Sequence, residues 1–484
     1  MKPHTSLQIL SLVCSAALVA ACGGTSGAGP NVAGIDRTGS PSAAFAFGSI
    51  SGFGSVIVNG VRYDTSGATF TIDDSPGTEA ELEVGDVVLI QGTLDSGGAT
   101  GTATSVVFDD NVEGPISSKP DASTLIVLGQ TVRITADTSF DDSIVPASID
   151  GLDVTDVVEV SGFVDSNGDI LATRIELKIG ATEFEITGIV GGHLPGAMTF
   201  MINGLVVDYS SAMSIRNFPG GDIDDGDLVE AKGGTTLGPA GELVATEVEF
   251  KGTQIAGNAD DHVEIEGLIT RFNDATDFDV SGFPVTTNGQ TTYEGGDATN
   301  LGLNVKVEVE GDLNANGVLV ADEVDIRRDS VVEIEGLVDS VGAGTVTVLG
   351  ITIHVDGLTR IEDKRDDMQP FGLGNIVAGD FIAVRGSEDP NAPGEVLAAR
   401  LERDDPDDTI LQGIVESTVD PAFTILGVTV NTNGATVFRD ETETVIGSGA
   451  FFGPPPPDGR LVKAQGAEVG LTIINADEVE FETP

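Results

Sequence analysis

Short runs in which apolar and polar residues alternate fill most of this chain. Val305, Val307 and Val309 are interleaved with Lys306, Glu308 and Glu310, the period-two signature of a strand with one buried face. Five such patterns recur in a fixed order. A Gly first enters an apolar run, as at Glu266-Gly267-Leu268-Ile269, Glu335-Gly336-Leu337-Val338 and Gln412-Gly413-Ile414-Val415. Two further runs flank a tight bend, as in Val346 to Ile353 and Thr424 to Val430. At Asn59-Gly60 and Asn203-Gly204 both bend residues tolerate positive φ, which predicts a hairpin. A variable acidic segment leads to the fourth pattern, Gly85-Asp86-Val87-Val88 in one copy and Gly379-Asp380-Phe381-Ile382 in another. The fifth closes each copy, as at Ala321 to Ile326 and Ala476 to Phe481.

The glycine that ends the fourth pattern falls at Gly92, Gly162, Gly233, Gly311, Gly386 and Gly466, at spacings of 70, 71, 78, 75 and 80 residues. Such a period predicts separate small modules, since a β-helix rung is far shorter. The six copies are placed at 48–110, 111–180, 181–254, 261–328, 329–405 and 408–482. Five strands in about 70 residues leave two open edges if they lie flat, and closure into a barrel removes both. The expected fold is therefore all-β, a tandem array of six small five-stranded OB-like barrels. Small β-sandwich modules are the alternative.

This order of patterns resembles the bacterial repeats known as domain of unknown function 5666. The resemblance covers nearly everything after residue 47, and the sixth copy departs from it with Arg460 in place of the usual Asp. It implies a fold class and a tandem habit, and it implies no activity and no catalytic residues. The sixth copy also carries Phe451-Phe452-Gly453 and Pro454 to Pro457, which reads as an exposed, stiff insertion.

The N-terminus carries a different signal. Lys2 is followed by about 15 apolar or small residues, Leu7 to Ala21, too few to span a bilayer comfortably. The run ends in Leu18-Val19-Ala20-Ala21-Cys22-Gly23, which looks like a bacterial lipobox. That resemblance implies a signal peptide over 1–21, lipidation of Cys22 and anchoring to a membrane. Gly23 after the cysteine implies the outer membrane. The only other cysteine, Cys14, falls inside the signal, so the mature chain has no thiol for disulfide or thiolate-metal chemistry. Residues 22–47, rich in Gly, Ala and Ser, read as a flexible tether.

Charge narrows the partners. Acidic residues number 78 against 23 basic ones, a net charge of -55, which repels phosphates and argues against nucleic acid. Outside the signal only His193, His262 and His354 remain, each in a different copy, so no module can build a histidine metal triad or a repeated Ser-His-Asp site. The expectation is a chain that is not an enzyme and has no cofactor, with calcium as the one candidate ligand. Asp165, Asn167 and Asp169 place oxygens at alternate positions, as a calcium loop does, and Asp222, Asp224, Asp225 and Asp227 form a second acidic loop. Ordinary turn chemistry is the simpler reading of both, and it explains Asp86, Asp156, Asp227 and Asp380 at strand entries.

The functional expectation is a non-catalytic envelope lipoprotein, a repeat scaffold or multivalent binder of a protein or glycan. The alternative is a divalent-cation-dependent adhesin or polysaccharide-binding protein. Aromatics recur after the third strand at Phe70, Phe140, Tyr293 and Phe438, with Ile361 in the fifth copy. Exposed, they would form sugar-stacking platforms; buried, they would plug the barrels.

Overall fold

A long first strand is the feature on which the architecture turns. It runs Ser42–Gly52, Val112–Asp121, Glu183–Leu194, His262–Asp274, Val332–Val341 and Thr409–Val419 in modules 1 to 6. The computed structural model describes residues 42–482 except 253, 254, 256, 391 and 443. Cys22, the signal and most of the tether lie outside the described residues.

In module 4 the first strand pairs antiparallel with Asp277–Val280, which pairs with Phe283–Thr286. That third strand lies parallel to the fifth, Leu319–Arg327. The fifth pairs with the fourth, Lys306–Leu313, and the fourth returns to the first. The circuit 1-2-3-5-4-1 is a closed five-stranded barrel of OB type. It recurs in module 1, module 2 and module 3. Modules 5 and 6 repeat it as well. The chain is thus all-β with closed barrels, and the sandwich alternative fails because no module splits into two sheets.

Side-chain alternation fills each barrel. In module 4, Val263, Ile265, Val307, Val309, Leu319 and Val324 are wholly buried. Between strands two and three, five modules turn on two residues of positive φ, as at Asn59-Gly60, and in module 3 Asn203 takes positive φ while Gly204 does not. Modules 2, 5 and 6 place Leu128, Leu349 and Leu426 in that left-handed position. Burial of each leucine offsets its backbone strain. Gly114 makes room for the first of them, since a Cβ there would meet Leu128 Cγ at 2.3 Å.

The modules do not stack in order of sequence. Module 1 joins module 4 through parallel pairing of their first strands, Ala44↔His262 to Phe47↔Ile265. Module 2 joins module 3 antiparallel, with Val112↔Ile186 and Glu113↔Glu185. Module 5 joins module 6 antiparallel over Glu333 to Glu335 and Ile410 to Gln412. The 2–3 pair is therefore nested between the halves of the 1–4 pair. Modules 2 and 3 share one hydrophobic core cluster, and so do modules 5 and 6.

Two expectations are corrected. The tether does not extend to residue 47, because the strand begins at Ser42. Ala44 and Ala46 enter the core of module 1, while Phe45 on the opposite face enters that of module 4. The insertion in module 6 is exposed at Pro454 to Pro456, as expected, but its phenylalanine end is not. Phe451 is buried, with ring centroids 4.7 Å from Phe481 and 5.1 Å from Phe438. The recurring aromatics are plugs: Phe140 and Phe438 are buried, and Phe70, Tyr293 and Ile361 pack half-buried on their own cores.

Candidate functional site

Nesting brings modules 1 to 4 around one cleft of about 720 Å³. Its floor is apolar, with Phe47, Leu89, Phe163 and Phe283 contributing. The rings of Phe47 and Phe163 meet edge to face at 6.3 Å, and Lys306 Nζ lies 5.4 Å from the Phe163 centroid. Val87, Phe163 and Leu268, from modules 1, 2 and 4, form a small buried core of their own. Ile189 lines the cleft and is 56% exposed. The rim is polar and includes Asp165, Asn167, Asn203 and Asp227. An apolar floor with a polar rim is the form that small-molecule sites take.

The residues singled out as calcium ligands sit at this rim or near it, but their oxygens serve turns. Asp165 Oδ1 accepts from the backbone of Asn167 at 2.7 Å and of Asp169 at 2.9 Å. Asn314 holds the equivalent bend of module 4 in the same way. Asp169 pairs with Arg133 at 3.0 Å. In the second loop Asp227 accepts from Asp224 N and Asp225 from His193 N, both at 2.8 Å, and Asp222 is exposed. Asp86, Asp156 and Asp380 make the same bond as Asp227, each to the backbone N–H three residues earlier. That recurrent Asp ties the turn before the fourth strand.

What the structure does gather was not singled out from the sequence. At the inner end of the cleft, modules 1, 2 and 3 meet through carboxylates. Asp73 and Asp74 are the central residues of a tight turn with φ of 44° and 63°, and they project from module 1. Asp109 and Asp110 lie on the link to module 2 and line the cleft. Glu113 and Glu159 come from module 2, Glu185 and Glu230 from module 3. Acceptor oxygens of Asp73, Asp110 and Glu185 lie within 4.8 Å of one another, as do those of Asp110, Glu113 and Glu159. Lysines answer part of this charge: Lys232 bonds Glu185 at 2.8 Å, Lys251 bonds Asp74 and Glu230 at 2.9 Å each, and Lys178 bonds Glu159 at 2.5 Å. Asp110, 2% exposed, has Oδ1 without a partner, and so does Glu185 at Oε1.

Burial raises Asp73, Asp110 and Glu159 first, and neighbouring carboxylates raise them further. Asp73 is pushed up to about 7 by burial and the charge of Glu185. Glu159 goes to about 8, chiefly by burial and against the pull of Lys178. Asp110 rises well above the carboxylate range through burial and the charges of Glu185, Asp73, Glu159 and Glu113. At the junction of modules 1 and 4, burial lowers His262, but bonds to Asp312 and Glu264 outweigh it and hold the imidazole at about 9.

Every one of these shifts is upward, so the sign is common. The stability they confer is complete below the unfolded-state pKa and is lost as pH rises through the folded one, from about pH 4 to pH 9. Glu266 acts oppositely: burial raises it, yet Lys306 and Ser49 hold it at about 2, so its contribution is lost only in strong acid. The calcium-free chain is expected to melt at a higher temperature at pH 5 than at pH 8.5. Scanning calorimetry at the two values checks this, and an equal or reversed order contradicts the burial of these acids.

Six segments of the chain match the family described as Domain of unknown function (DUF5666): 48–107, 113–176, 186–249, 266–325, 335–402 and 412–469. The chain belongs to the DUF5666 family. No curated protein matches it. Each DUF5666 segment covers one barrel. The residues that fuse barrels in pairs, such as Ala44–Phe47, His262–Ile265 and Glu333–Glu335, lie before or at the start of a segment. Asp110 and Glu185 fall between DUF5666 segments as well. Little in the sequence could have revealed the acidic cluster, because a Glu on the outward face of a strand reads as solvent-facing unless another module covers it.

Proposed function

We propose that this DUF5666 chain is a non-catalytic lipoprotein of the bacterial cell envelope, a rigid scaffold with one composite binding cleft, not a string of independent weak binders. The observation that carries the reading is the nested pairing, which builds one cleft from four modules. The run Leu18 to Cys22 supports lipidation and, with Gly23, an outer-membrane address. Three histidines in three separate modules support the absence of catalysis. The plugged barrels speak against sugar stacking at the recurrent aromatics, so the favoured occupant is an amphiphile or an apolar side chain of a protein partner.

Two measurements test it. In cells fed radiolabelled palmitate, the wild-type chain is expected to take up label and Cys22→Ser is not; equal labelling removes the anchor. A neutral solvatochromic dye such as Nile red is expected to bind at one equivalent per chain and to be lost in Ile189→Glu, a substitution at an exposed position. Absence of binding, or binding indifferent to Ile189→Glu, removes the cleft.

A further inference from the structure

We propose that Asp73, Asp110 and Glu185 hold a divalent cation, calcium by the chemistry of its all-oxygen donors, and that this ion staples modules 1, 2 and 3 together. The site stands independently of the anchor and of the cleft's ligand.

Geometry comes first. Calcium takes oxygens at about 2.3–2.6 Å, so ligands on opposite sides of the ion stand up to about 5 Å apart. The three carboxylates present oxygens within 4.8 Å of one another before any adjustment. Magnesium demands near-ideal octahedral geometry at about 2.1 Å and dehydrates reluctantly, so an irregular set of protein carboxylates suits calcium better.

The second observation is the unanswered oxygen. Asp110 is nine-tenths buried and more, and no hydrogen bond satisfies its Oδ1. A buried carboxylate in that state is costly, and each such group calls for an explanation. Asp110 is also common to both carboxylate triads, so its side chain points to where they converge. Glu185 spends Oε2 on Lys232 and keeps Oε1 without a partner. Asp73 Oδ1 already accepts from the backbone N–H of Asp110 at 3.3 Å, which holds its carboxylate beside Asp110.

Charge agrees. The groups facing Asp110 are Asp73, Glu113, Glu159 and Glu185, with Asp109 and Glu230 close by. Lys178, Lys232 and Lys251 are the cations, and each is bonded to other members of the cluster. Carboxylates remain in excess. A divalent cation answers that excess. Glu113 and Glu159 then support the ion through Asp110 from the module 2 side.

The test uses the purified full chain after chelation. At pH 8, calcium at a hundredfold excess over its Kd is expected to raise the melting temperature by about 5 °C more than sodium at matched ionic strength. Magnesium is expected to do less than calcium. Equilibrium dialysis with radioactive calcium should show one tight equivalent per chain. Asp110→Asn keeps the shape and removes the unanswered charge, so it should leave the calcium-free chain folded, abolish the calcium-specific rise and remove that equivalent. Asp73→Asn should do the same from another module. Asp165→Ala and Asp224→Ala should leave the response intact. Equal effects of calcium and sodium overturn the proposal, as does a calcium response that survives Asp110→Asn or disappears with Asp165→Ala.

Discussion

Alanine at position 386 is expected to destabilise module 5 by about 3 kcal/mol, a large loss for the addition of one methyl group. Gly386 sits at a bulge between the fourth and fifth strands, opposite Ala398. A Cβ there would lie 2.1 Å from the carbonyl oxygen of Leu397. The obstacle is backbone in a closed barrel, so relief requires moving two strands at once. The same bulge occurs at Gly92, Gly162, Gly233, Gly311 and Gly466, each with a partner-strand carbonyl within 2.5 Å of the added carbon. Gly374→Ala in the same module, where a Cβ meets nothing within 4 Å, is the control and should stay within about 0.5 kcal/mol. Urea unfolding of both variants followed by circular dichroism measures the difference. Equal midpoints would sink the steric account of the recurrent glycine.

The second large effect is expected at Arg360. This residue of module 5 is 4% exposed and reaches into module 2, where Nη1 donates to Thr173 O at 2.8 Å and Nη2 to Asp137 O. Arg400 adds a bond to Thr138 O at 2.7 Å, and Lys364 pairs with Asp142 at 2.8 Å. Arg360→Met keeps the aliphatic stem and deprives two carbonyls of their donor, which costs about 4 kcal/mol at one to three per orphaned group. The loss falls on the docking of modules 5 and 6, since their own barrels stay intact. Calorimetry should therefore resolve two transitions where the wild type shows one, and trypsin should cut faster after Arg328, on the link into module 5. Arg360→Lys should recover less than half, because one ammonium cannot reproduce the forked geometry. A single unchanged transition in Arg360→Met would show that Arg360 does not hold the pairs together.

How much of this was open to sequence reasoning follows from the range of the forces involved. Val305, Val307 and Val309 alternate because one face of one strand is buried by its own barrel. Asn59-Gly60 turns because of its own φ preferences, and Asp380 bonds a backbone group three residues away. These are local determinants. The barrels, the turns and the role of the strand-entry Asp could therefore be derived from the sequence, whereas the burial of the recurrent aromatics had to be seen. Closure of the barrel followed too, since five strands leave only two edges to satisfy.

Which barrel meets which was decided by tertiary structure alone. Ala44 to Phe47 read as the end of a tether, because two alanines and two phenylalanines before a glycine do not announce a partner more than 200 residues away. Modules 1 and 4 pair directly although modules 2 and 3 separate them in sequence. The same holds for Asp110 and Glu185, whose strand and link positions look solvent-facing in their own modules. Asp165 and Asp224 were visible as candidates because their oxygens cluster along the chain, and local backbone N–H groups claim oxygens placed that way. Asp73, Asp110 and Glu185 are far apart in sequence, and no local donor reaches them. Burial under a neighbouring module is what makes a carboxylate reactive toward a cation, and burial of that kind is a property of the assembled modules and not of any one of them.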